Sequence, residues 1–170
     1  MHDHVDRVLA DWNRERPDLD VSAMAVCSRL FRLGIVAARS VDRAFKSHGL
    51  TQGEFDLLAT LHRSGAHAGL SPQQLVSALL LSAGAMTNRL DRLEEAGLIA
   101  RHPNPEDRRS VIVSLTPEGL RLIRRALNDY LEELDGLLAP LSASERRQLA
   151  GLLKRMLIEH DGAAPGGLAA

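Results

Sequence analysis

The sequence predicts a mainly α-helical chain with a small two- or three-stranded β element near its middle. Three observations lead there. Hydrophobic residues make up 45% and aromatics only 3%, which suits helices packed through aliphatic side chains better than a sandwich or barrel. Helix starts are written as capping boxes, with Thr51 and Glu54, Ser71 and Gln74, and Ser142 and Glu145 each three residues apart. Two short β-rich runs, Leu98–His102 and Val111–Leu115, flank an Asn104-Pro105 turn. At 170 residues the chain is one domain or one elaborated domain.

The elements follow in order. Residues 1–20 form an N-terminal extension with an added helix. Asp20 can cap a long helix to about Lys46, ending before His48-Gly49. Thr51 opens a helix to about Arg63, and Gly65 to Gly69 is a loop. Ser71, followed by Pro72 at the first helical position, opens a short helix to about Leu80. Ser82 caps the next, to about Ala96, where Gly97 stops it. Thr116-Pro117 restarts a helix to about Leu138, and the Ser142 box opens the last, to about His160. Residues 161–170 read as a disordered tail.

The stretch from Ser82 to Gly119 is the most informative. A helix with one apolar and one small, polar edge is followed by a two-stranded loop bearing Arg108 and Arg109. That is the layout of a winged helix-turn-helix, which puts a helix in the major groove of DNA and a basic loop beside it. The winged module, residues 50–115, is then inserted in a helical region, residues 21–49 and 116–160. Apolar positions Val26, Leu30, Leu33 and Val41 before it, and Leu122, Leu127, Leu131, Leu134 and Leu138 after it, suggest a surface that buries itself against a second copy. The alternative is a monomeric bundle that buries the same stripes internally.

Charge separates regions rather than settling function. The formal net charge is −1, yet residues 21–50 hold five basic residues against Asp42 alone, while residues 82–109 balance five Arg against five acids. DNA affinity would depend on which faces the Arg residues occupy. The single Cys27 excludes an internal disulfide framework. No metal-ligand spacing, phosphate-binding Gly loop or catalytic motif stands out, so no enzyme activity, cofactor or metal is expected. No run approaches a membrane span, and the acidic N-terminus is unlike a signal peptide, so a cytoplasmic location is expected.

With these residues in view, the chain resembles the MarR family of transcription regulators. The family's wing signature D-x-R-x5-L-T-x2-G stands here as Asp107, Arg109, Leu115, Thr116 and Gly119. The resemblance implies that Arg109 reaches the minor groove and that Asp107 holds the wing through a salt bridge with it. It covers about residues 21–160. A narrower likeness, to the urate-responsive and pectinase-regulator subgroup, rests on ERPDLDVSAMAV, Trp12, Asp56, Arg89 and Arg101. That likeness implies a ligand site for a small aromatic anion made by those four residues.

Read singly, these residues divide as follows. On the recognition helix, Met86, Leu90 and Leu93 share one edge and should face the core, while Thr87, Asn88, Asp91 and Arg92 point away. Ser82, Gly84 and Ala85 are small enough for close approach to DNA. Thr87 and Asn88 can bond bases, and Arg92 a phosphate or a guanine. Arg89 sits on the shoulder of the buried edge and needs an acidic partner or a ligand. Arg101 reads as a phosphate contact, a ligand contact or a solvated side chain. Asp56 reads as exposed by periodicity. Trp12 is either a stacking surface for a purine or an anchor for the added helix. Cys27 reads as buried and structural, with a thiol-based redox sensor as the alternative. Arg29, Arg32, Arg39 and Arg43 read as a solvated or salt-bridged face, with Asp129, Glu132, Glu133 and Asp135 as candidate partners.

The expected function is a homodimeric repressor that binds a pseudo-palindromic operator in double-stranded DNA and is released by urate or a related anion. Regulation by other phenolic or carboxylic acids, or through Cys27, are the alternatives.

Overall fold

The computed structural model describes residues 2–65, 69–105 and 110–163. The elements are α1 (His4–Glu15), α2 (Ser22–Ser47), α3 (Gln52–Arg63), α4 (Pro72–Leu79), α5 (Ala83–Glu95), β1 (Ile99–Pro103), β2 (Val111–Leu115), α6 (Pro117–Leu137) and α7 (Ala143–Ala163). The predicted order holds throughout, and the fold is mainly helical with a small antiparallel wing. Residues 161–163, expected to begin a disordered tail, continue α7 instead. The chain forms two compact units, residues 1–41 and 42–170, so the division falls within α2 rather than at either of its ends.

In the first unit, α1 begins with a capping box that the sequence reading missed. Asp3 accepts from the Asp6 N–H, and the Asp6 carboxylate accepts from the Asp3 N–H, both at 2.9 Å. The two carboxylates together hold Arg29 of α2, at 2.8 and 2.6 Å. Part of the basic stripe of α2 is thereby neutralised by α1. Asp20 bonds the Ser22 N–H at 2.9 Å, as a residue opening α2 should. Among the described residues of this unit, only Val5 is buried with an apolar side chain; Val26, Phe31, Leu33, Ile35 and Val36 are all exposed.

The second unit holds the core. Leu57, Leu58 and Leu61 of α3, Leu75 of α4, Met86, Leu90 and Leu93 of α5, Ile99 of β1, Val113 of β2 and Ile123 of α6 are all buried. Phe45, Phe55 and Tyr130 form one stack, with ring centroids 4.3 Å apart for Phe45 and Phe55 and 5.2 Å for Phe55 and Tyr130. His48 and Asp129 pair at 2.7 Å, tying the residues after α2 to α6. By contrast α7 buries none of its described side chains, and Leu152, Met156, Leu157 and Ile158 face solvent.

β1 and β2 pair from Ile99 with Leu115 to Pro103 with Val111. Across the other edge of β2, Leu70 and Val113 exchange both backbone hydrogen bonds, at 3.0 and 2.8 Å. The third strand of the wing is thus reduced to a single bridge.

Candidate nucleic-acid interface and effector cluster

The helix-turn-helix is made by α4 and α5. Ser82 caps α5 by accepting from the Ala85 N–H at 3.3 Å, and Met86, Leu90 and Leu93 bury the opposite edge as the wheel predicts. Ser82, Ala83, Gly84, Ala85, Thr87 and Asn88 are exposed. The Thr87 hydroxyl donates back to the Ala83 carbonyl at 3.0 Å, which leaves its oxygen as an acceptor and its methyl for the groove. A Cβ on Gly84 would meet nothing within 4 Å, so no contact within the chain requires glycine there.

The base of the wing explains the last part of the family signature. Thr116 caps α6 by accepting from the Gly119 N–H at 3.0 Å, and its hydroxyl donates to the Gly97 carbonyl at 2.7 Å. A Cβ at position 119 would lie 1.9 Å from the Leu98 carbonyl oxygen, so no larger residue fits without moving backbone. The Thr116 N–H donates to that same carbonyl at 3.1 Å. At the far end Asn104 bonds Ser110 twice, N–H to carbonyl at 3.0 Å and amide to hydroxyl at 2.9 Å. Asp107, Arg108 and Arg109 lie outside the described residues.

Arg101 is half-buried rather than solvated. It reaches from β1 to α5 and pairs with Asp91 at 2.5 Å and Glu94 at 3.5 Å. The solvated reading of Arg101 is thereby corrected; Asp91, expected to point away from the buried edge and half-exposed here, is its partner. Neither pairing was visible in the sequence, because it depends on how the strand passes the helix.

A charge cluster joins α5 to the first turn of α3. The Arg89 guanidinium lies flat on Gly53, where an added Cβ would stand 2.3 Å from its central carbon, and donates to the Gly53 carbonyl at 3.2 Å. Beside it, Glu54 is buried. Burial opposes its charge, but the Thr51 N–H and hydroxyl, each 2.8 Å away, together with Arg92 and Arg89, hold its carboxyl below the usual range. The other carboxylate oxygen faces Arg92 at 3.2 Å. Arg92 remains exposed, as expected of a phosphate contact, but it is not unpartnered. Glu54 had been read only as a helix cap.

Asp56 is half-buried, against the expectation from periodicity. The reason is that α3 touches α4, α5, α6 and β2, so no side of it is a plain solvent face. Burial pushes the Asp56 carboxyl above its ordinary value, outweighing the pull of Arg89 and Arg63. Trp12 belongs to the first unit, where it is exposed. Cys27, expected to be buried, is exposed as well. Of the remaining basic stripe, Arg43 lies 3.6 Å from Glu133, one of the acids proposed for it, whereas Asp129 is taken by His48 and Asp135 by Arg146.

Comparison with known proteins fits this geometry. The sequence profile of the MarR family matches residues 50–111. The chain is 43% identical over 152 residues to the transcriptional regulator PecS of Dickeya dadantii, covering 89% of this chain and 92% of that protein. It is 32% identical to MhqR of Bacillus subtilis over 68% of this chain and 78% of that one. Among solved structures, a mutant MarR from E. coli complexed with operator DNA superimposes with a TM-score of 0.65 at 26% identity, over 86% of this chain and 97% of that one. The S. aureus MepR–DNA complex does so with a TM-score of 0.68 at 25% identity, over 79% and 98%. These relatives are named as regulators and DNA complexes, not as enzymes. The chain belongs to the MarR family of winged helix-turn-helix, DNA-binding transcription regulators.

Proposed function

We propose that the chain is a homodimeric repressor whose operator binding is released when a small aromatic anion, urate or a close relative, enters the cluster of Arg89 and Asp56. The observation that carries this reading is the seat of Arg89. The recognition helix is held to α3 by a guanidinium resting on Gly53 beside a half-buried carboxyl. An anion is attracted by Arg89 and repelled by ionised Asp56, so its arrival changes how α5 is held. The mechanism is a population shift, and the effect on DNA is limited by the anion's preference for the DNA-incompetent form. Trp12 and Arg101 enter this site by resemblance, and Arg101 would have to loosen its pair with Asp91 to take part.

DNA contacts are assigned to Ser82, Gly84, Thr87, Asn88 and Arg92 on α5 and to Arg108 and Arg109 in the wing, with Asp107 as the partner of Arg109. Exposure of the α5 edge supports the first group. Dimerisation is supported by the apolar side chains left open in each unit, Phe31 and Ile35 in the first and Leu157 and Ile158 in the second. Such a dimer spaces two recognition helices for a pseudo-palindromic site. Fluorescence anisotropy of DNA from the region upstream of the chain's own coding sequence, at one fixed salt, tests the reading. Tight binding that urate reverses is expected; tight binding indifferent to urate would remove the purine and leave phenolic and carboxylic acids to be tried. The exposure of Cys27 keeps one second reading, a thiol-based sensor, which requires that Cys27→Ser abolish a response to peroxide.

A further inference from the structure

Between α4 and α5 the chain makes an unusual choice. Leu80 closes α4 in the left-handed region, with φ 52° and ψ 38°, its N–H donating to the Val76 carbonyl. Among the described residues it is the only non-glycine with positive φ; Gly49, Gly65, Gly69 and Gly97 serve at the others. A branched aliphatic side chain is disfavoured there by its Cβ, and glycine or asparagine is the ordinary occupant. Burial of the side chain in the core would offset that strain. Leu80 is instead 60% exposed. Two unfavourable features thus coincide in one residue. Strain of this kind is found where a functional contact requires it.

The position says what the contact is. Leu80 lies two residues before Ser82, the cap of α5, and three to five residues before the exposed small residues Ala83, Gly84 and Ala85. A leucine has no hydrogen bond to offer, and the one apolar group that base edges present in the major groove is the thymine methyl. We propose that Leu80 is a specificity-determining residue that packs on a thymine methyl at the edge of each half-site. This rests on the reading of α5 as the element that enters the groove.

The test uses the full-length chain as wild type, Leu80→Gly and Leu80→Asn, since both replacements accept the left-handed backbone. Wild type first defines its protected segment on DNA upstream of its own coding sequence. If it protects none, the groove reading fails, independently of Leu80. Each thymine in the protected segment is then replaced singly by deoxyuridine, which removes only the methyl. We expect one replacement per half-site to weaken wild type about threefold and to leave both variants unchanged. Both variants should bind the unmodified segment about fivefold more weakly, with melting temperatures at or above wild type. The inference is overturned if no deoxyuridine position separates wild type from the variants, or if the variants bind as tightly as wild type. It is also overturned if their weaker binding is accompanied by a change in sedimentation, which would place Leu80 against a second copy of the chain.

Discussion

At the base of the wing, the Thr116 hydroxyl and N–H donate to the Gly97 and Leu98 carbonyls, and Gly119 meets Leu98 in a contact too close for any side chain. Where α5 meets α3, the contacts are long side chains and charge: Arg89 over Gly53, Arg92 at 3.2 Å from Glu54, Asp56 half-buried nearby. The first joint is close backbone contact locked by one short side chain, which leaves it one arrangement. The second is held by long cationic side chains, the groups that the proposed anion would recruit. On the proposed reading, the base of the wing is fixed while an anion alters the seat of the recognition helix.

The comparison breaks most sharply at position 119. Gly119→Ala should cost about 3 kcal/mol, because the new methyl meets the Leu98 carbonyl and backbone must move. A thermal unfolding scan within 1 °C of wild type would refute the fixed-joint description. Thr116→Ala removes a cap and the bond to Gly97 and should cost about 1.5 kcal/mol in the same assay.

The other joint responds to charge. Asp56 has its pKa raised above 3.8, so the fold favours the neutral carboxyl. The stability this contributes is complete below the ordinary value and is lost as pH rises through the raised one. Asp56→Asn should flatten that part of the stability profile, and a profile parallel to wild type would sink the assignment.

The smallest effect on stability is expected at Gly53. Gly53→Ala adds the same methyl as Gly119→Ala, but it meets the free end of an arginine, which can swing away. Melting should change by less than about 2 °C, while release of DNA by urate is blunted. A loss of stability as large as that at position 119 would erase the distinction between the joints.

Most element boundaries were legible because caps and glycines mark them locally: Thr51, Ser71, Ser82, Thr116 and Ser142 all act where the sequence placed them. The site was legible only in part. Arg89 was marked by its place on the wheel, which is a property of one helix. The half-burial of Asp56 depends on four neighbouring elements, and the pairing of Arg101 depends on the passage of β1 beside α5, so neither follows from periodicity. Gly53 carried no signal until a guanidinium was found resting on it. The exposure of Cys27 reversed an expectation drawn only from its apolar neighbours in sequence.

The most direct test of the switchable seat is the ratio of operator Kd with and without urate, in wild type and in Arg89→Ala. Wild type should weaken at least about tenfold when urate is added, which corresponds to about 1.4 kcal/mol of coupling. Arg89→Ala should show a ratio near one while its urate-free Kd stays within a few-fold of wild type. Full urate sensitivity in Arg89→Ala would contradict the account.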